Sequence, residues 1–140
     1  MPFGVGSVSS YWGKSDLEYF DPDMLALVRD LHQAGYKLGL ASNSRARWIL
    51  PALKLTHLDT AFDIVVTPED AVLKPDDAFY ALLTERCKVR PDEILFIDDR
   101  SRNIRGAEVH GMRAIRFKSY AELMLKLRDQ GIKIPTKSET

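Results

Sequence analysis

Residues 94–99, Ile94-Leu95-Phe96-Ile97-Asp98-Asp99 (ILFIDD), are an unbroken apolar run that ends in two adjacent carboxylates. An apolar run without polar alternation predicts a strand buried on both faces, over residues 93–97, and such strands belong to parallel sheets covered by helices. Downstream, the pattern predicts a helix over 102–110 capped by Gly111, a strand over 112–117, and a helix over 120–130 stopped by Gly131. Upstream, Pro91 marks a turn, and residues 77–88 carry Phe79, Leu82 and Leu83 on one helical face. Before that come a buried strand over 62–67 (FDIVVT), a helix around 45–53, and a strand over 37–42 (KLGLAS). An earlier helix opens at Asp21-Pro22, carries Met24, Leu25, Val28 and Leu31 as its apolar stripe, and stops at Gly35. Helices alternating with short apolar runs predict an α/β fold: three layers around a mostly parallel, Rossmann-like sheet.

The chain has 140 residues, 45% of them hydrophobic, which suits one domain with its own core. The organisation expected is an N-terminal segment over 1–20, a core over 21–131 and a flexible tail over 132–140. Twenty basic residues balance twenty acidic ones, so no net field favours nucleic acid or an anionic membrane. A small polar substrate or a protein partner is more natural. Cys87 is the only cysteine, which excludes an internal disulfide and a cysteine-based zinc cluster and suits a reducing compartment. With no apolar run near membrane length and no signal-like start, the expected location is cytoplasmic. His32, His57 and His110 lack ligand spacing, and Trp12 and Trp48 read as packing residues.

In an open parallel sheet, ligands bind beyond the carboxyl ends of the strands. Three polar clusters fall there: Ser42-Asn43-Ser44, Lys74-Pro75-Asp76 and Asp98-Asp99. Adjacent strand residues point to opposite faces, so two neighbouring carboxylates converge on one ligand only where the strand breaks. Two such charges repel unless a cation is bound, and paired hard oxygens suit Mg²⁺. The plainer reading of Asp98-Asp99 is a solvated turn that caps the next helix. Ser42, ahead of a helix start, is placed to hold a phosphate oxygen, although a serine there is more often a cap. Lys74 precedes Pro75, which keeps it out of a helix, and a loop lysine is ordinarily just solvated.

Taken together, these pieces resemble a known pattern. GLASNS is similar to motif II of the haloacid-dehalogenase-like (HAD) hydrolases, LKPDDAFY to motif III, and ILFIDDRSRNIRGAEVHGM to motif IV. Three motifs in the right order, each at a strand-to-loop boundary, are far more specific than any one of them. The resemblance spans about residues 21–131 and implies a HAD core with little or no cap domain. It further implies Mg²⁺-dependent hydrolysis of a small phosphorylated metabolite through an aspartyl-phosphate. Lys74 would be catalytic, Ser42, Asn43 and Lys74 would bind the phosphoryl group, and Asp98, Asp99 and Asn103 would hold Mg²⁺. Dehalogenation on the same scaffold, or a silent binding module that keeps the pocket, are the other readings.

The first motif of this pattern is an apolar strand ending in Asp-x-Asp. Asp21-Pro22-Asp23 matches it in letters, but the helix that follows explains it as N-cap and first-turn acid. Phe3 to Ser10 (FGVGSVSS) suits a strand but carries Gly and Ser where the nucleophile belongs. An empty central slot would leave unpaired backbone groups in the core. The expectation is that residues 3–9 fill that slot, or that two chains exchange segments in a homodimer.

Overall fold

The structure is a computed structural model that describes residues 3–7, 22–43 and 46–134. Its five parallel strands are β1 (Phe3–Ser7), β2 (Leu38–Ala41), β3 (Ile64–Val66), β4 (Ile94–Asp98) and β5 (Arg113–Arg116). The helices are α1 (Pro22–Gln33), α2 (Ala46–Leu55), α3 (Asp77–Cys87), α4 (Ser101–Val109) and α5 (Tyr120–Asp129). Strand order is β3-β2-β1-β4-β5, a doubly wound sheet whose order reverses at β1. The slot expected for residues 3–9 therefore holds Phe3–Ser7, with Gly4 opposite Leu38 on one side and Leu95 on the other. Residues 8–21, including the Asp21 cap and Trp12, lie outside the described residues, as do Ser44, Arg45 and 135–140.

Strand β4 organises both layers because its side chains alternate between them. Leu95 and Ile97 join Met24, Val28, Leu123 and Leu127 on the side of α1 and α5. Ile94 and Phe96 join Phe79, Tyr80, Leu83 and Ala107 on the side of α3 and α4. Continuing that alternation, Asp98 falls on the α3/α4 side. All five β4 residues are buried, as the apolar run requires. The expected three-layer α/β architecture is what these two cores produce.

Local chemistry sets the element ends. Gly35, Gly111 and Gly131 adopt φ of 92°, 86° and 81°, the left-handed conformation that terminates helices. Ser119 accepts a hydrogen bond from the Glu122 amide at 3.2 Å and so caps α5. Expected and observed bounds differ by a residue or two at most ends, with one consequence. Strand β4 runs through Asp98 instead of stopping at Ile97, because the Asp98 carbonyl still accepts from the Phe117 amide at 2.8 Å.

Gly106 is fixed by contact. A Cβ there would lie 2.6 Å from the ring and hydroxyl of Tyr80, which is fully buried. Gly4 is the opposite case: a Cβ would meet Leu38 Cδ2 at 3.5 Å and the Lys37 carbonyl at 3.9 Å, both ordinary contacts, beside an apolar cavity lined by Met24, Val28, Leu95 and Leu127. Alanine normally stabilises a helix interior relative to glycine. Here Gly106→Ala is expected to destabilise by about 1–3 kcal/mol, through overpacking. Gly4→Ala should be neutral or stabilise by up to about 1 kcal/mol. Urea denaturation of both variants measures the contrast, and a stabilising Gly106→Ala would contradict the packing described.

Candidate active site at the carboxyl edge of the sheet

The residues singled out from the sequence converge where the strand order reverses. Ser42 directly follows β2, is 2% exposed, and donates its amide to the Val66 carbonyl at 2.9 Å, which ties the ends of β2 and β3 together. Asn43 commits both ends of its side chain to Lys74. Its Oδ1 accepts from the Lys74 amide at 2.9 Å and its Nδ2 donates to the Lys74 carbonyl at 3.1 Å. Expected as a phosphate contact, its amide instead works as a clamp on the loop that carries the lysine.

That clamp turns the Lys74 side chain inward. A loop lysine would ordinarily be solvated, but Lys74 is only 6% exposed. Its Nζ donates to Asp98 Oδ2 at 2.8 Å and to the Ala41 carbonyl at 3.1 Å. Asp98 has no exposed surface at all. Its Oδ1 accepts from the Arg100 amide at 2.9 Å, and its Oδ2 also accepts from Asn103 Nδ2 at 3.1 Å. Every carboxylate oxygen thus has a donor, as a buried charge demands.

The two carboxylates of the pair do not share a fate. Because the strand continues through Asp98, the break comes after it, and Asp99 sits half-buried in the turn while Asp98 points into the core. Asn103 is 3% exposed, and its Oδ1 is the one buried side-chain polar atom among the described residues without a hydrogen-bond partner. Its main-chain carbonyl accepts a 2.6 Å bond from Tyr80 Oη. Tyr80 is not singled out by the sequence, where Phe79, Leu82 and Leu83 mark the apolar face of that helix. A glycine inside a helix, Gly106, was the one trace in the sequence of the ring packed against it.

Electrostatics follow burial. Loss of water draws the Lys74 pKa below the ordinary lysine value, and the attraction of Asp98 returns only part of that. For Asp98, burial pushes the pKa up, but Lys74, its hydrogen bond and the Arg100 amide outweigh it, and the carboxyl stays below its usual range. Burial, with the nearby Asp98 charge, raises the Tyr80 phenol and keeps it a hydrogen-bond donor. Among the described residues, no group of three His, Cys, Asp or Glu side chains is close enough to hold a metal ion.

Asp98 contributes stability above the unfolded carboxylate pKa of about 3.9, and that contribution is lost as pH falls through its lower folded value. Lys74, whose pKa is also lowered, has a slope of the same sign in a more alkaline window: its desolvation penalty is relieved as pH rises from the lowered folded value toward about 10.4. Lys74→Met should destabilise by about 3–5 kcal/mol because it strands a buried carboxylate. Lys74→Met/Asp98→Leu should recover much of that loss and show a shallower decline in acid. Urea midpoints measured against pH test this, and a double variant no more stable than the single would rule out the pair as the cause.

The family described as haloacid dehalogenase-like hydrolase matches residues 11–111. Among individual proteins, (S)-2-haloacid dehalogenase 4A from Burkholderia cepacia is 29% identical over 96 residues, which cover 68% of this chain and 42% of that protein. Pyrophosphatase PpaX from Bacillus mycoides is 30% identical over 89 residues, covering 63% of this chain and 41% of that protein. This chain therefore matches less than half the length of either relative. An uncharacterized protein from Corynebacterium glutamicum superposes with a TM-score of 0.77 over 97% of this chain and 99% of its own, at 17% identity, a likeness of fold. No described helix is long and apolar enough to cross a membrane. With its three motifs gathered at one edge of the sheet and the family match spanning them, the chain belongs to the haloacid dehalogenase-like hydrolases.

Proposed function

We propose that the chain provides the phosphoryl-binding site of a hydrolase that acts on a small phosphorylated metabolite with Mg²⁺. The observation that carries this reading is the buried Lys74–Asp98 pair, 2.8 Å apart, at the switch point beside Ser42. A cation fixed by a carboxylate on a rigid sheet edge is preorganised to meet the charge on a transferring phosphoryl oxygen. The Ser42 hydroxyl and the backbone at the start of α2 add neutral donors. The pyrophosphatase relative is a precedent for phosphate, as the dehalogenase relative is for halide, and the buried cation at the switch point is what favours phosphate.

The fit of Mg²⁺ depends on which oxygens remain. Asp98 already has Lys74, Asn103 and the Arg100 amide as donors, so it serves the lysine. The Oδ1 of Asn103 has no hydrogen-bond partner, and Asp99, half-buried in the turn, is the second carboxylate of the pair. Mg²⁺ commonly takes one or two protein carboxylates and completes its shell with water and phosphate, so this set suits it. Bound there, the ion would supply Lewis-acid stabilisation of phosphoryl charge.

A second reading has its own support. Strand β1 ends Gly6-Ser7, and no residue of Phe3–Ser7 is a carboxylate. The central strand thus lacks the aspartate that would form an aspartyl-phosphate, which favours recognition of the phosphoryl group without turnover.

Hydrolysis of p-nitrophenyl phosphate, with and without Mg²⁺, separates the two. Turnover that needs Mg²⁺ and falls by about 10²-fold or more in Asp99→Asn and in Ser42→Ala supports the hydrolase. Folded protein that binds inorganic phosphate and turns nothing over supports the binding module. Failure to bind phosphate would remove both.

A further inference from the structure

Basic residues are distributed unevenly. The chain is neutral overall, yet residues 100–118 contain Arg100, Arg102, Arg105, Arg113, Arg116 and Lys118 against one acid, Glu108. Two arginines elsewhere are matched by carboxylates: Arg86 pairs with Asp70 at 2.6 Å, and Arg90 with Asp92 at 3.1 Å. Arg113 is held at the opposite end of β5 by the Asp92 carbonyl and Gln130. Two of the rest flank the site directly.

Arg100 follows Asp99, and its amide is the group bound to Asp98 Oδ1 at 2.9 Å. Its side chain is exposed and has no hydrogen bond or ion pair among the described residues. Arg116 is the last residue of β5, at the same edge. Its Nε donates to the Asp99 carbonyl at 3.2 Å, which leaves both terminal amino groups without a partner among the described residues. The Asp99 turn therefore carries an exposed guanidinium on either side. Arg100 also replaces the Ser, Asp or Asn preferred before a helix, and makes no side-chain cap on α4. A cation at the positive end of a helix dipole is unfavourable. The Arg100 guanidinium and the two terminal amino groups of Arg116 hold nothing among the described residues, and the Arg100 charge is close enough to Lys74 to oppose the lysine's own.

We propose that Arg100 and Arg116 form a second anion subsite beside the phosphoryl pocket, so that the ligand is a small molecule with a phosphoryl group at Ser42 and Lys74 and a second anionic group, carboxylate or phosphoryl, a few bonds away. This rests on the phosphoryl-binding reading above. The planar guanidinium fork pairs with either oxyanion by two parallel hydrogen bonds, which makes the pair selective for a dianionic ligand. It also makes the two arginines specificity-determining and leaves the chemistry of the phosphoryl group to other residues.

Calorimetric titration with three stable probes tests the subsite: methylphosphonate, phosphonoacetate and methylenediphosphonate. The full chain should bind one or both doubly anionic probes at least about tenfold more tightly than methylphosphonate. Arg100→Ala/Arg116→Ala should erase that preference and leave methylphosphonate affinity unchanged, whereas Arg128→Ala, on the last turn of α5, should alter neither. The probe that shows the preference identifies the second group as carboxylate or phosphoryl. Equal binding of all three probes by the unaltered chain would overturn the subsite while leaving the phosphoryl pocket intact. Loss of methylphosphonate binding in the double variant would overturn it too, by showing that the arginines serve the first pocket. Binding of none of the probes would overturn both the subsite and the pocket.

Discussion

A single ion pair, Lys74 with Asp98, sets what the rest of the site can do. Both groups are nearly without water, with Lys74 6% exposed and Asp98 0%. In that setting neither tolerates the loss of the other, and each needs its remaining hydrogen-bonding capacity filled. The Ala41 carbonyl, the Arg100 amide and Asn103 fill it, and they come from the end of β2 and the start of α4. The pair therefore joins β2, the loop after β3, β4 and α4 into one unit. A site built on such a joint is held by the scaffold instead of by a loop, which is the condition for electrostatic preorganisation.

Support for that joint extends one layer further back. Tyr80 packs edge-on against Phe79 and Phe96 with centroids 5.1 and 5.7 Å away, and its hydroxyl reaches the Asn103 carbonyl. His110 stacks on the Tyr80 ring with centroids 5.1 Å apart and contacts Asp77 at 3.0 Å. Core packing on the α3/α4 side and the placement of the polar cluster are thus continuous. The absence of a side chain at Gly106 is what lets α4 come close enough for this.

Much of this was legible in the sequence because it depends on periodicity and on chain-terminating glycines. The apolar run at 94–97 fixed a buried strand, and Gly35, Gly111 and Gly131 marked helix ends through their backbone freedom. The motifs located Ser42, Lys74, Asp98 and Asn103 at one edge. Three things were not legible. Whether Asp98 or Asp99 turns inward depends on a single ladder bond from Phe117, which no composition reveals. The amide of Asn43 looks like a ligand group until the Lys74 main chain, 31 residues away, is seen to occupy both its ends. Tyr80 goes unmarked in the sequence, since its hydroxyl partner is a main-chain atom. In each case the deciding contact is long-range and leaves no local pattern.

Strand β1 has a consequence for how the molecule assembles. It lies at the centre of the sheet, yet its register joins Phe3 with Ile94, about two-thirds of the chain away along the sequence. On the ribosome, β2 and β3 can pair with each other long before β4 exists, while β1 has only one of its two neighbours available. Closing the β1–β4 ladder also closes the longest loop in the sheet, with an entropic cost that local pairing does not offset. Gly4 and Gly6 add little side-chain attraction to that step and more backbone freedom to be lost. The middle of the sheet is thus the last part to be secured, and its stability depends on residues synthesised about two-thirds of the chain later.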